Sequence, residues 1–214
     1  MFPVVTIPES PNLDNHDKEI ISMLLEDGRR SLSEIGDKIG MSHVAISKRL
    51  DKLLSDDQIR IQAGVNAESL DAKILFVGIE TENMDVTEYL IEKYQKCPRI
   101  LTLAPVTGRY NLFAVMVVED TWTLESIIGT CSISTEKGVR KSESWFGNAP
   151  IVPKYLPIDL SPEQSDDDIS PCGRTCADCR RYEINKCVGC PPSSVYEGML
   201  WKSDKTKPRR RSRK

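Results

Sequence analysis

The sequence predicts an α+β fold: a small helical domain, a domain of alternating strands and helices, and a short cysteine-rich module. Three observations support this prediction. Apolar residues recur at helical spacing between residues 14 and 54, whereas from Lys73 onward apolar runs of strand length alternate with helical segments. Five of the seven cysteines lie between Cys172 and Cys190. A chain of 214 residues is long enough for two domains of ordinary size.

The helical domain is predicted to start with two short helices. The first begins at Asp14 and ends at Gly28, because glycine readily leaves the helical conformation. In the second, Ser31 and Glu34 have the spacing of a capping box, where each side chain bonds to the backbone N–H of the other residue. Gly40 is expected to end this helix in the left-handed conformation.

A third helix follows after a tight turn, with Ser42 as its N-cap. Two capped helices joined in this way form a helix-turn-helix, whose second helix enters a DNA groove. Residues 58–65 are expected to form an extended piece, which would be the wing of a winged helix-turn-helix.

The second domain shows the element order β-α-β-β-α-β. The predicted strands are residues 74–80, 100–106, 111–118 and 139–145, and the predicted helices are residues 86–97 and 121–128. This order is that of the ferredoxin-like split βαβ arrangement, whose helices cover one face of the sheet. The other face needs a partner, so we expect a homodimer or a larger oligomer.

These assignments divide the chain into seven parts. They are an arm (1–12), the winged helix-turn-helix (13–65), a connector (66–72), the ferredoxin-like domain (73–148), an extension with an acidic linker (149–170), the cysteine-rich metal-binding module (171–192) and a basic tail (193–214).

Charge and hydropathy limit the classes of function and the cellular location that we expect for the protein. The net charge of −3 does not by itself indicate a nucleic-acid binder, but positive charge is concentrated in the last residues, KTKPRRRSRK. That tail is either simply solvated or makes non-specific contacts with DNA phosphates. The sequence has no apolar run long enough to span a membrane and no signal peptide, so we expect a cytoplasmic protein.

The predicted third helix carries the candidate DNA-binding residues. If Ile46 and Leu50 face inward, short polar side chains near the N-terminus face outward and suit base edges, while basic side chains suit phosphates. The alternative is a solvated helix with ordinary surface charges. The candidates are Ser31, Ser42, His43, Val44, Ser47, Lys48, Arg49 and Lys52.

A turn in the second domain is the candidate effector site. Gly108 can present backbone N–H groups to a carboxylate, and Arg109 can bind one through two parallel hydrogen bonds. Tyr110 and Asn111 complete this loop. The alternative is an ordinary β-hairpin turn.

The cysteine-rich module has metal-ligand spacing. Its cysteines read C-x3-C-x2-C-x7-C-x2-C, and four thiolates satisfy tetrahedral Zn²⁺. The fifth cysteine leaves the ligand set open, and an iron–sulfur cluster is the less favoured cofactor. The candidate metal ligands are Cys172, Cys176, Cys179, Cys187 and Cys190. Cys97 and Cys131 lie beside apolar helices and are expected to be buried, inert thiols.

Three stretches carry a family resemblance: LDNHDKEIISMLLEDGR, SLSEIGDKIGMSHVAISKRLDKL and VTGRYNLFAVMVVED. In this order they resemble the Lrp/AsnC, or feast/famine, transcriptional regulators, from about residue 13 to residue 146. The resemblance implies an archaeal-type, DNA-binding regulator without enzymatic activity. It also implies a second domain of the family's RAM type, which dimerises, assembles further into tetramers or octamers, and binds an amino acid or a related small molecule.

The chain departs from this family in three places. Asn111 stands where an acidic residue is common, Ser42-His43 replaces a common Ser-Pro pair, and the cysteine-rich module is additional.

Two other functions share most of these motifs: an Lrp-like haem-precursor decarboxylase and a global architectural DNA-binding protein. The enzyme would need proton-transfer residues in the second domain. The only histidines, His16 and His43, lie in the first.

Overall fold

The computed structural model describes residues 13–131, 133–164 and 169–201. The chain divides into two compact units, Met1–Ala63 and Gly64–Lys214. The predicted arm (1–12), four residues of the predicted acidic linker (165–168) and most of the predicted basic tail (202–214) lie outside the described residues. Among the described helices, none has the length and hydropathy needed to cross a membrane.

The first unit contains three helices, α1 (Asn15–Glu26), α2 (Leu32–Ile39) and α3 (His43–Ser55). Interactions within a few residues explain where these helices begin and end. Gly40 adopts a left-handed conformation (φ 75°) at the end of α2, as predicted. The inward faces form one small core, made of Ile20, Met23, Ile35 and Ile46.

The predicted wing is wrong. Residues 59–64 are not in a strand, and Gln58 instead donates its backbone N–H to the carbonyl of Leu53. The short strand β1 (Val65–Asn66) belongs to the second unit, where it pairs with β6 (Tyr155–Leu156). The partner strand lies far away in sequence, so nothing local to residues 58–65 revealed this pairing.

The second unit contains the predicted β-α-β-β-α-β arrangement. Its antiparallel sheet has the strand order β3-β4-β2-β5, which confirms the split βαβ topology. The elements are β2 (Lys73–Thr81), α4 (Met84–Tyr94), β3 (Ile100–Pro105), β4 (Leu112–Val118), α5 (Thr121–Gly129), β5 (Val139–Gly147) and the short helix α6 (Arg180–Glu183).

The sheet has two apolar faces because side chains alternate along each strand. Leu75 and Val77 of β2 pack with Leu90 of α4 and Ile127 of α5 in the main core. Neighbouring positions of β2 and β4 face the other way, where Ile74 and others pack with residues from the C-terminal part of the chain.

That C-terminal part differs from the expected flexible linker and separate module. Leu156, Ile158 and Trp201 are buried against Ile74 and Val117 on the second face of the sheet. The described residues of 149–201 therefore complete the second unit, and they cover part of the face that was expected to need a partner. Their burial depends on long-range contacts that composition does not show.

Candidate functional site

The outward face of α3 presents most of the residues predicted to contact DNA. Ser42 caps the helix, and its Oγ accepts the backbone N–H of Ala45 at 3.3 Å. His43, Lys48 and Lys52 are exposed, and they are joined by Val44 and the half-buried Ser47. The opposite face carries the buried Ile46 and Leu53. This face therefore combines polar side chains near the helix N-terminus with two exposed lysines, Lys48 and Lys52, which form no ion pair within the described residues.

Arg49 lies elsewhere than expected. Its Nη1 lies 2.7 Å from Oδ2 of Asp14 and 2.7 Å from Oδ1 of Asp17, both at the start of α1. The hydrogen bond to Asp17, followed by that to Asp14, raises the pKa of the guanidinium. This guanidinium therefore holds α3 against α1, a structural contact that the sequence did not predict.

The Ser31 side chain also forms hydrogen bonds within the protein. Its Oγ accepts the backbone N–H of Glu34 at 3.2 Å, and Glu34 in turn accepts the backbone N–H of Ser31 at 2.8 Å. The Ser31 hydroxyl also donates to Oε2 of Glu34 at 2.7 Å. This bond is the largest cause that lowers the pKa of the Glu34 carboxyl, followed by the bond from the backbone N–H of Ser31. This reciprocal pair is the predicted capping box. The hydroxyl that sequence reasoning assigned to DNA therefore stabilises the start of α2.

The candidate effector loop lies between β3 and β4. Arg109 is exposed and forms an ion pair with Glu143 of β5 at 2.8 Å. Asn111 is directed toward β2, where its Oδ1 accepts the backbone N–H of Thr81 at 2.9 Å and its Nδ2 donates to the hydroxyl of Thr81 at 2.7 Å. Gly108 remains exposed at the tip of the turn. Arg109 and Asn111 are thus engaged in polar contacts with neighbouring strands.

Tyr110 of this loop lies over the second face of the sheet. Its ring packs directly against Gly78, where an added Cβ would come within 2.6 Å of the ring. It also meets Trp145 edge-on, with the ring centroids 6.2 Å apart. Trp145 stays 47% exposed. An aromatic surface therefore adjoins the loop.

One cavity of about 290 Å³ in the second unit is lined by all seven cysteines of the chain. The five predicted ligands come together there with two cysteines that sequence reasoning treated as inert, Cys97 and Cys131. Within the described residues, no three His, Cys, Asp or Glu side chains converge on a point that would hold a metal ion. The thiols line the wall of the cavity instead.

Burial changes the acidity of these thiols. It raises the pKa of Cys176, Cys187 and Cys190, and it raises the pKa of Cys131 to about 12. A metal that binds through any of these four thiols must displace its proton.

Two arginines fasten the cysteine-rich segment to the sheet domain. Arg99 is buried and ion-paired with Glu119, and its Nη2 donates to the backbone carbonyl of Gly189 at 2.9 Å. On the other side of the cavity, Arg174 lies 2.9 Å from the Glu136 carboxylate. These contacts were missed at the sequence level, because an isolated arginine or glutamate carries no signal of its partner.

The comparisons with known proteins agree with the resemblance in the sequence. A family model of the AsnC-type helix-turn-helix domain matches residues 13–54. The uncharacterized HTH-type transcriptional regulator PH0140 of Pyrococcus horikoshii is 31% identical over 129 residues, which are 58% of this chain and 81% of the relative. The HTH-type transcriptional regulator Rv2324 of Mycobacterium tuberculosis is 26% identical over 140 residues, covering 62% of this chain and 89% of the relative.

Solved structures share the fold. Escherichia coli AsnC has a TM-score of 0.55 at 20% identity and covers 63% of this chain and 91% of its own. The transcriptional regulator NMB0573 from Neisseria meningitidis, solved with L-Met, has a TM-score of 0.58 at 20% identity, covering 69% of this chain and 97% of its own. The chain is a helix-turn-helix protein with an α+β sheet domain. It belongs to the Lrp/AsnC family of transcriptional regulators.

Proposed function

We propose that the protein is a sequence-specific DNA-binding regulator that presents α3 to the major groove of pseudo-palindromic promoter sites. The supporting observation is the outward face of α3. Ser42 and His43 lie at its N-terminal end, and Lys48 and Lys52 lie further along the helix, exposed and without an ion pair among the contacts described. Short groups suit base edges and lysines suit phosphates. The relatives are named as regulators, in keeping with a non-enzymatic role.

A gel-shift titration on a promoter fragment tests this proposal. Lys48→Ala with Lys52→Ala should weaken binding and lower the slope of log K against log salt by about 2, because each lost phosphate contact removes about 0.9. The matched control is Lys96→Ala with Lys137→Ala, which removes the same charge from exposed positions of the second unit. An unchanged slope in the α3 variant, or an equal change in the control, would contradict the assignment.

We further propose that the protein acts as a dimer or a larger oligomer through the exposed part of the second sheet face. Trp145 supplies exposed apolar surface there, because it pairs with Phe76 of β2 and so lies on this face. Trp145→Glu should shift the mass measured by light scattering toward the monomer. The same mass for this variant and the wild type would refute the assigned surface.

An amino acid or a related small molecule is the proposed effector, bound near the loop of Gly108, Arg109, Tyr110 and Asn111. The NMB0573 structure contains L-Met, and that finding belongs to that protein. Calorimetric titration with a panel of amino acids, including methionine, tests binding here. Arg109→Ala should weaken any binding detected, because it removes the cation that can pair with the ligand carboxylate.

The cysteine-rich segment is proposed to hold a metal, with zinc favoured over an iron–sulfur cluster. Cys172, Cys176, Cys179, Cys187 and Cys190 are the proposed ligands, since all five line one cavity. Elemental analysis of the purified protein tests this proposal. Protein that binds neither zinc nor iron would refute it.

A further inference from the structure

The cysteine cavity draws on more of the chain than the cysteine-rich segment. Cys97 follows α4 and Cys131 follows α5, so the two helices of the sheet domain both deliver a thiol to it. Cys172 even belongs to the main core of the sheet domain. Seven thiols from separate segments therefore face one space, although their sequence positions span 94 residues, from 97 to 190 with both ends counted.

The cavity is larger than a single ion requires. Four thiolates close around Zn²⁺ at about 2.3 Å and leave no space of their own. Here the space is about 290 Å³ and seven cysteines line it, more than the four that one tetrahedral ion takes. This arrangement suits a centre of several metal ions, in which bridging ligands join neighbouring metals.

A buried N–H donor beside the cavity suits such a centre. Arg99 and Arg174 both line the cavity, and each is ion-paired, with Glu119 and Glu136 respectively. Within the described residues, the Nε of Arg174 is buried and has no hydrogen-bond partner. That N–H is a donor available to a ligating sulfur, the kind of second-layer hydrogen bond that orients and tunes metal ligands.

We propose that the cavity binds a polynuclear metal–thiolate centre whose ligands include Cys97 and Cys131 of the sheet domain. This inference builds on the proposed metal binding and extends it in the number of ions and in the ligand set. Each ligating thiol gives up its proton as its metal–sulfur bond forms. Occupancy would tie the ends of α4 and α5 to the cysteine-rich segment, so metal binding would be coupled to the rigidity of the sheet domain.

Analysis of the full-length protein, purified without oxygen, tests the inference. We expect at least two metal ions per chain. Iron together with acid-labile sulfide would identify an iron–sulfur cluster, whereas zinc or copper without sulfide would identify a thiolate-bridged centre. Cys97→Ser and Cys131→Ser should each lower the metal content by at least one ion or change its absorption spectrum.

The matched control is Met116→Leu, which alters the cavity wall without removing a thiol and should keep the wild-type metal content. If the serine variants fail to fold, X-ray absorption of the wild-type protein decides the question. A metal–metal scattering distance supports the inference. Its absence, or one ion per chain unaffected by either serine variant, overturns it while leaving the single-metal proposal intact. Protein without any metal overturns both.

Discussion

Replacing Arg99 by methionine should detach the cysteine-rich segment from the sheet domain. The Arg99 and Glu119 side chains are only 6% and 9% exposed, so the substitution leaves a carboxylate without its cation in a site that water barely reaches. Removing one partner of a buried ion pair costs about 3–5 kcal/mol. The substitution also removes the hydrogen bond to Gly189 and the contact with the Trp201 ring, whose centroid is 5.0 Å away.

The expected loss is a large part of a typical folding free energy of about 5–15 kcal/mol. For a unit of this size it corresponds to a fall in Tm of about 6–20 °C. Urea unfolding followed by tryptophan fluorescence measures it, because Trp122, Trp145 and Trp201 all lie in the second unit. Hydrogen exchange of residues 169–201 should rise in the same variant, which would show that this segment is released.

Two further variants separate the lost pair from a general effect of substitution. Arg99→Met combined with Glu119→Met removes the unpaired charge and should cost only about 1 kcal/mol, mainly from the lost acceptor of the Tyr196 hydroxyl. Lys73→Met breaks an exposed ion pair with Asp71 and should cost under about 1 kcal/mol. Arg99→Met within about 0.5 kcal/mol of the wild-type stability, or a double variant as unstable as the single one, would contradict this expected loss.

Three other predictions each concern a single contact. Ser31→Ala should destabilise the first unit by about 1 kcal/mol through loss of its cap, measured by amide exchange in α2. Gly78→Ala should cost about 1–3 kcal/mol by displacing the Tyr110 ring, and Tyr110→Ala in the same chain should restore part of it in thermal melts. Burial would raise the pKa of the Glu136 carboxyl, but hydrogen bonds, including one from Arg174, outweigh it and lower the pKa. This stabilisation is present above an ordinary carboxyl pKa of about 4.3 and is lost as pH falls through the lowered value. Glu136→Gln should therefore flatten the acid limb of a stability–pH curve, and an unchanged limb would contradict this.

Helix boundaries in the first unit were predictable because the signals are local. The hydroxyl of Ser31 and the carboxylate of Glu34 are three residues apart, and Gly40 tolerates its left-handed conformation anywhere. The strands of the sheet domain were predictable for a similar reason. A run such as 74–80 is apolar on both faces, and β2 is indeed buried on both.

The role of Arg49 could not be read in the same way. An arginine on the outer half of a helix suits a phosphate as well as a carboxylate, and its partners Asp14 and Asp17 lie 35 and 32 residues away. The pairing of β1 with β6, and with it the loss of the predicted wing, was hidden by the same separation.

Local spacing by itself determined the helix-turn-helix, the order of strands and helices in the second domain, and the presence of closely spaced thiols. These features depend on hydrogen bonds and apolar periodicity within a few residues of each other. Only the tertiary structure decided that Cys97 and Cys131 share a cavity with the other five cysteines, and that Arg99 and Arg174 join the cysteine-rich segment to the sheet domain. Such contacts join segments that burial of the core brings together, and the sequence of each segment alone does not show which other segment it will contact.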